Sequence, residues 1–327
     1  MFCKPNSKKG LAAALLSTCI AAGASFNAQA LEEVHFLIPG GAGGGWDSTA
    51  RGTGEALSKS GLVETISYEN MSGGGGGKAI AHLIETADQK SDTLMVNSTP
   101  IVIRSLSKVF PQSFRDLTPV AATIGDYGAF VVKKDSKYQS FTEVVADYQA
   151  NPRAIKIAGG SARGSMDHLV AAMAFKAAGG DARQVRYVAY DAGGKAMAGL
   201  LSGETQLLST GFSEALALAE AGEVRILVMT GAERNEAAPE VPTLQELGYD
   251  ATFVNWRGFF AAPGISEAEK AEYVSVLKQM YDTEAWEEVR SRNGWTEIFK
   301  PGQEFVAFLE QQEKEVGALM RELGFLR

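Results

Sequence analysis

The sequence predicts an α/β fold built as two lobes. Three observations carry that prediction. From Glu33 onward the pattern strand, turn, helix repeats along the chain; glycine-rich turns fall at the strand-to-helix junctions; and no Pro/Ser-rich linker separates the first set of elements from the second. Alternation of this kind predicts a mostly parallel sheet with helices on both faces. Ligands in such sheets sit at the carboxyl ends of the strands, where these turns fall.

In the first set, residues 34–38 form a buried apolar strand, followed by the turn Pro39-Gly40-Gly41-Ala42-Gly43-Gly44-Gly45-Trp46-Asp47 and a helix over residues 48–58. A second strand, 64–69, leads into Asn70-Met71-Ser72-Gly73-Gly74-Gly75-Gly76-Gly77 and a helix over 78–85. A third strand, 93–96, ends in Asn97-Ser98-Thr99-Pro100. Glycine lets a ligand approach backbone N–H groups closely, and helix first turns add unpaired donors and a positive dipole end. Two such turns side by side form a cradle for a small anion.

The second set opens with a strand at 128–132 and a helix at 141–148. A strand at 154–158 runs into Gly159-Gly160-Ser161-Ala162-Arg163-Gly164-Ser165, with a helix from 166 to 178. A strand at 185–190 precedes Asp191-Ala192-Gly193-Gly194 and a helix to Leu201; a strand from Thr205 enters Ser209-Thr210-Gly211-Phe212; another lies at 224–229. Two helices follow, 267–282 and 303–323. On the second, Phe305, Phe308, Leu309, Val316, Leu319, Met320 and Leu323 keep one apolar stripe. Without a linker, the backbone crosses between lobes inside strands, near Phe130–Val131 and near Met229–Thr230. The expected division is 31–130 plus 230–327 for lobe 1 and 131–229 for lobe 2.

Residues 1–30 read as a secretory signal peptide. Lys4, Lys8 and Lys9 precede a short apolar stretch, Leu11 to Ala24, and Ala28-Gln29-Ala30 fits an A-x-A cleavage site. A lipoprotein reading through Cys19 is disfavoured by Thr18 just before it. Cys3 and Cys19 are the only cysteines, so the expected mature chain has no disulfide, thiol nucleophile or cysteine metal site. The net charge is −8 for the whole chain, and 28 basic against 39 acidic residues, or −11, after residue 30. That balance disfavours nucleic acid and anionic membranes as partners, so an anion site must rest on local donors.

Enzymatic motifs fail on inspection. A P-loop needs G-x-x-x-x-G-K-[ST], but Gly77-Lys78 is followed by Ala79 and Ser72 stands at the first glycine. A dinucleotide fingerprint would need glycine where Trp46 stands. Neither Ser161 nor Ser213 sits in G-x-S-x-G, although His168, close to Ser161 and Ser165, keeps a hydrolase alternative open. His35, His82 and His168 lack metal-site spacing. No cofactor, metal or catalytic residue is assigned.

Taken together, the loops resemble those of the tripartite tricarboxylate transporter receptors, the TctC-like or Bug family of extracytoplasmic solute-binding proteins. The resemblance begins at Pro39-Gly40-Gly41 through Trp46-Asp47 and at Asn70 to Gly77. It continues through Gly125-Asp126-Tyr127-Gly128, Gly159 to Ser165, Arg186 to Gly194, Ala237 to Thr243 and Trp256 to Pro263. It covers essentially the whole expected mature chain, and number, order and spacing make it specific where each motif alone is weak.

The resemblance implies a periplasmic binding protein type II fold, two α/β lobes joined by a hinge with a ligand cleft between them, that closes on its ligand. It also implies a non-enzymatic periplasmic receptor delivering a small organic carboxylate to membrane permease subunits; nothing in the sequence calls for an obligate oligomer, so a monomer is expected. One ligand carboxylate is then held between the first two loops, on Gly41, Ala42, Gly43, Gly44, Gly45 and Trp46 and on Ser72, Gly73, Gly74, Gly75 and Gly76. Asn97, Ser98 and Thr99 extend that wall. Tyr127, Ser161, Ala162, Arg163, Ser165, Gly193, Gly194, Thr210 and Arg257 complete the expected site. Asp47 is expected to cap the following helix rather than touch ligand. Arg163 and Arg257 either pair with further carboxylates or form internal salt bridges; Lys195 is expected in solvent. Tyr187 to Asp191 with Asp126-Tyr127-Gly128 look like the tricarboxylate-binding branch, favouring a citrate-like di- or tricarboxylate. A different dicarboxylate, an amino acid or an aromatic acid, and sensing in place of uptake, are the alternatives.

Overall fold

The structure is a computed structural model that describes residues 1–2 and 31–326. The expected signal peptide, with both cysteines, lies outside the described residues apart from its first two positions. In order, the elements are β1 (Leu31–Ile38), α1 (Gly45–Lys59), β2 (Val63–Asn70), α2 (Gly77–Glu85), β3 (Thr93–Ser98), α3 (Thr99–Leu106) and β4 (Thr118–Lys133). There follow α4 (Phe141–Ala150), β5 (Lys156–Gly159), α5 (Met166–Ala177), β6 (Arg186–Ala189), α6 (Gly193–Leu201), β7 (Leu207–Gly211), α7 (Phe212–Glu220) and β8 (Val224–Met229). The chain closes with β9 (Val254–Ala261), α8 (Glu267–Tyr281), α9 (Glu284–Arg292), β10 (Thr296–Pro301) and α10 (Gln303–Glu322).

The fold is mixed α/β, as expected, with one correction. The strands are parallel only at the two flanks: β2-β1-β3 in the first lobe and β6-β5-β7 in the second. The middle is antiparallel, because β9 pairs with both β3 and β4. Sequence reading found only the last third of β4 and missed β9 and β10 as strands. β4 is buried on both faces for most of its length, so it shows no alternation to betray it.

β4 joins the lobes. From Thr118 to Tyr127 it pairs with β9, and β10 flanks it over the same stretch. From Gly128 to Lys133 it pairs with β7 and β8. The return passage lies beside this switch. Gly128 N–H donates to Thr230 Oγ1 at 2.8 Å, and that hydroxyl donates to the Phe253 carbonyl at 2.6 Å.

The C-terminal helices pack on the first lobe. Phe305, Leu309, Val316 and Met320 of α10 share a core with Ile101 and Val102 of α3 and Phe260 of β9. On the opposite face Trp286 and Trp295 pack with Phe36 and Leu57. Each such fully buried side chain contributes about 1.5–3 kcal/mol. No helix among the described residues is long and apolar enough to cross a membrane.

Candidate ligand-binding site

The carboxyl ends of β1, β3, β5 and β6 open on one cleft between the lobes. It encloses about 870 Å³, part of it continuous with solvent. The first lobe supplies Pro39, Gly40, Gly41, Gly44, Gly45 and Trp46, then Gly73 to Gly76, then Ser98 and Pro100. The second supplies Gly160, Ser161, Ala162, Ser165, Met166 and Asp167, then Tyr190 to Gly193 and Glu214; β9 gives Asn255 and Arg257. The N-termini of α1, α5 and α6 therefore meet at one place.

Glycine is required here by conformation and by space. Gly73, Gly74, Gly75 and Gly76 all have positive φ, from 60° to 142°, a run that side-chain-bearing residues do not adopt. At Gly45, φ is ordinary, but a Cβ would collide with the Arg257 guanidinium and Glu214. Trp46 fixes the turn: its Nε1–H donates to Ser98 Oγ at 2.8 Å, tying the start of α1 to the end of β3.

Asp47 differs from expectation in position. It sits inside the first turn of α1, which begins at Gly45 with Gly44 as N-cap. Its carboxylate reaches back to accept the Gly43 N–H at 3.0 Å and also accepts Arg51 Nε and Asn70 Nδ2, each at 3.0 Å. The charge is thus satisfied inside the turn. Asp167 repeats the device in the second lobe, with Oδ2 accepting the Ser161 N–H at 2.9 Å while Ser161 Oγ accepts the Asp167 N–H at 2.9 Å. Burial, reinforced by the nearby Glu214 charge, pushes Asp167 up to about 7.

The two expected cations are engaged internally. Arg257 lines the cleft, yet its Nη2 lies 2.8 Å from the buried Asp126 Oδ2 and 3.7 Å from Oε1 of the partly exposed Glu214. Asp126 further accepts the Ser213 N–H and hydroxyl at 3.1 and 2.7 Å. Arg163 lies outside the cleft lining and donates to the Tyr187 carbonyl at 2.6 Å. Lys195 bonds Asp191 at 3.2 Å. Of the other expected residues, Ala42, Gly43, Ser72, Asn97, Thr99, Tyr127, Gly194 and Thr210 do not line the cleft. Thr210 instead donates to Glu214 Oε2 at 2.6 Å.

Sequence reasoning missed Asp167, Tyr190, Asp191, Glu214 and Asn255 in the lining. It also missed Arg104. This α3 side chain is buried against Gly75, its Nε has no partner, and Nη1 donates to the Arg163 carbonyl of the second lobe at 3.3 Å, neither residue lining the cleft. It pairs with no carboxylate among the described residues, and burial lowers its pKa. A lone arginine after Ile101-Val102-Ile103 was the available signal. Desolvation raises the Glu214 pKa against the opposing pull of Arg257.

Hydrolytic geometry is not assembled. His168 Nδ1 accepts the Gly164 N–H at 3.1 Å, and its ring stacks on Tyr187 at 4.7 Å. Burial and the Arg163 charge take it down to about 4. Ser161 Oγ faces Tyr187 Oη and the Asp167 amide rather than an imidazole.

Comparison with known proteins gives concordant results. The family model described as the tripartite tricarboxylate transporter family receptor matches residues 49–325. Protein BugT of Bordetella pertussis is 25% identical over 313 residues, 93% of each chain. MatC from Rhodopseudomonas palustris, solved with bound malate, superposes with a TM-score of 0.78 at 20% identity, covering 88% of this chain and 98% of that one. The R. palustris protein Rpa4515, solved with adipate, gives 0.78 at 22% identity over 90% and 97%.

Proposed function

The chain belongs to the tripartite tricarboxylate transporter receptor family, and from that premise we propose that it is a periplasmic receptor that captures a small organic di- or tricarboxylate and presents it to membrane permease subunits. The observation that carries the reading is the convergence of the glycine turns and helix N-termini on one interlobe cleft. Backbone N–H groups there make charge-assisted bonds to a carboxylate, and each helix end adds about 0.3–1 kcal/mol, up to ~2 when partly buried. We take lobe 1 as 31–130 with 230–327 and lobe 2 as 131–229; the change of β4 partners supports that division.

The first carboxylate belongs on the cleft-lining glycines Gly41, Gly44 and Gly45 of the first turn and Gly73 to Gly76 of the second. Arg163 and Arg257 are held by internal contacts; Arg104, behind Gly75 and outside the cleft lining, would give up only its bond to the Arg163 carbonyl, so it is the cation we assign to a further carboxylate. The bound malate and adipate of the two R. palustris proteins support a short acid, with citrate the larger candidate. Binding without turnover fits a site whose serines and histidine are not coupled.

A thermal-shift screen over citrate, isocitrate, tricarballylate, succinate, malate, adipate, glutamate and aromatic acids tests this. A true ligand at 100 times its Kd adds about 2.7 kcal/mol of stability. No response to any carboxylate would remove the proposal.

A further inference from the structure

Among the described residues that line the cleft, Arg257 is the one cation, against Asp167, Asp191 and Glu214. Asp191 meets Lys195 at 3.2 Å, and Asp167 accepts the Ser161 N–H at 2.9 Å. Glu214 is placed differently. Its carboxylate projects from α7 to the point where α1 and α6 begin: a Cβ on Gly45 or on Gly193, the first residues of those helices, would collide with it. Oε2 accepts the Thr210 hydroxyl at 2.6 Å, and Oε1 lies 3.7 Å from Arg257 Nη2. Helix N-termini and a guanidinium together favour an anion. At this junction that anion is the protein's own side chain, 13% exposed to water.

The charges around it set a limit on the ligand. Arg257 faces two carboxylates, Asp126 at 2.8 Å and Glu214 at 3.7 Å, so it has no net charge to offer a third. Backbone donors of the glycine turns hold one ligand carboxylate, and Arg104 is assigned a second. A further ligand carboxylate at the Arg257 end would meet an excess of negative charge, and like charges a few ångströms apart in a partly buried site repel strongly. Resting on the carboxylate-receptor reading, we propose that Glu214 is a specificity-determining residue, a tethered anion that neutralises Arg257 and limits the cleft to ligands carrying two carboxylates. Thr210 is the positioning residue of this device, since its hydroxyl holds Oε2 at the helix junction.

The test uses acids that differ by one carboxylate: glutarate against tricarballylate, and 3-hydroxyglutarate against citrate. Each is titrated calorimetrically into the full expected mature chain at about pH 8, where all are fully ionised. Expected is a preference of about tenfold or more for the dicarboxylate of each pair that binds. Glu214→Gln keeps the shape and removes the charge, so it should narrow that preference to about twofold or reverse it. Glu214→Asp keeps the charge and should retain most of the preference. A purely structural part for Glu214 would move both members of a pair alike and leave their ratio where it was. A tricarboxylate bound by the wild type as tightly as its partner, or a ratio unchanged in Glu214→Gln, overturns the assignment while leaving the carboxylate receptor intact. Loss of all binding in Glu214→Gln overturns it too, since the residue is then needed for binding itself. Silence from every one of these acids in the wild type also overturns it; a silent thermal-shift screen then brings down the carboxylate reading as well, whereas a response there to another acid leaves that reading standing.

Discussion

Arg257 Nη2 lies 2.8 Å from Asp126 Oδ2, with both side chains withdrawn from water at the line where β4 and β9 approach the second lobe. Ser213 of α7 supplies two further bonds to the same carboxylate, so one ion pair ties three elements from two lobes. Removing one partner strands a buried charge. Asp126→Ala should destabilise the protein by about 3–5 kcal/mol, and the double variant Asp126→Ala with Arg257→Met should lose less than the single one. Chemical denaturation of the set checks the order; a single variant no worse than the double would contradict it.

Gly45 and Gly43 separate space from conformation. Gly45→Ala drives a methyl into Arg257 and Glu214, so a loss of about 1–3 kcal/mol from overpacking should accompany at least a tenfold loss of ligand affinity. Gly43→Ala meets nothing within 4 Å, but φ is +75° there, so only the left-handed penalty of about 1–2 kcal/mol applies. Titration of both variants with the strongest ligand of the screen distinguishes them.

Arg104 should act through charge. Arg104→Met keeps much of the apolar stem while removing the guanidinium that lies against Gly75 and the Arg163 carbonyl. Binding of dianionic and trianionic ligands should weaken about tenfold, with Arg104→Lys recovering part of it, while the unliganded protein melts no lower, because the cation has no internal anion to lose. A fall in melting temperature with unchanged affinity would assign Arg104 a purely structural part.

Neighbouring residues Asp167 and His168 should give opposite pH dependences. Asp167 rises from 3.8 to about 7 on folding, so the unfolded chain loses its proton first and stability falls as pH climbs across that window. His168 drops from 6.5 to about 4, so the unfolded chain gains a proton first and stability falls as pH declines through that window. The two windows overlap, so the effects oppose each other between about pH 4 and 7: Asp167→Asn should make stability rise more steeply with pH there, and His168→Gln should make it fall. Melting temperatures from pH 4 to 8 report both; parallel curves for wild type and Asp167→Asn would exclude the first effect.

The parts of the site built from local signals were legible in the chain. Glycine runs after strand-like segments marked the turns, and the apolar stripe from Phe305 to Leu323 marked α10. The parts built by tertiary contact were not. Glu214 looks like a surface residue on a short helix until the lobes bring it beside Gly45 and Gly193. Asn255 has no periodicity to announce it, because β9 is buried on both faces. α3 was hidden for the opposite reason: Ser98-Thr99-Pro100 ends a strand and starts a helix in consecutive residues, so the proline at the helix start read as a terminator. Asp47 lost the expected N-cap position to Gly44, since Gly44 and Gly45 extended α1 backwards, and its carboxylate instead accepts the Gly43 N–H ahead of the helix.

A single unbroken strand, β4, belongs to both halves of the sheet. Sliding of one half past the other would tear its ladder, so the motion left to the molecule is a twist about that shared rod. Gly125 and Gly128 lie in β4 on either side of the change of partners, with Thr230 clamped alongside by its bonds to Gly128 and Phe253. Any angular travel between the halves is therefore confined to a few torsions of that strand and of the return passage beside it. Stiffening those torsions would tune how long cargo stays aboard without altering a single group that grips it.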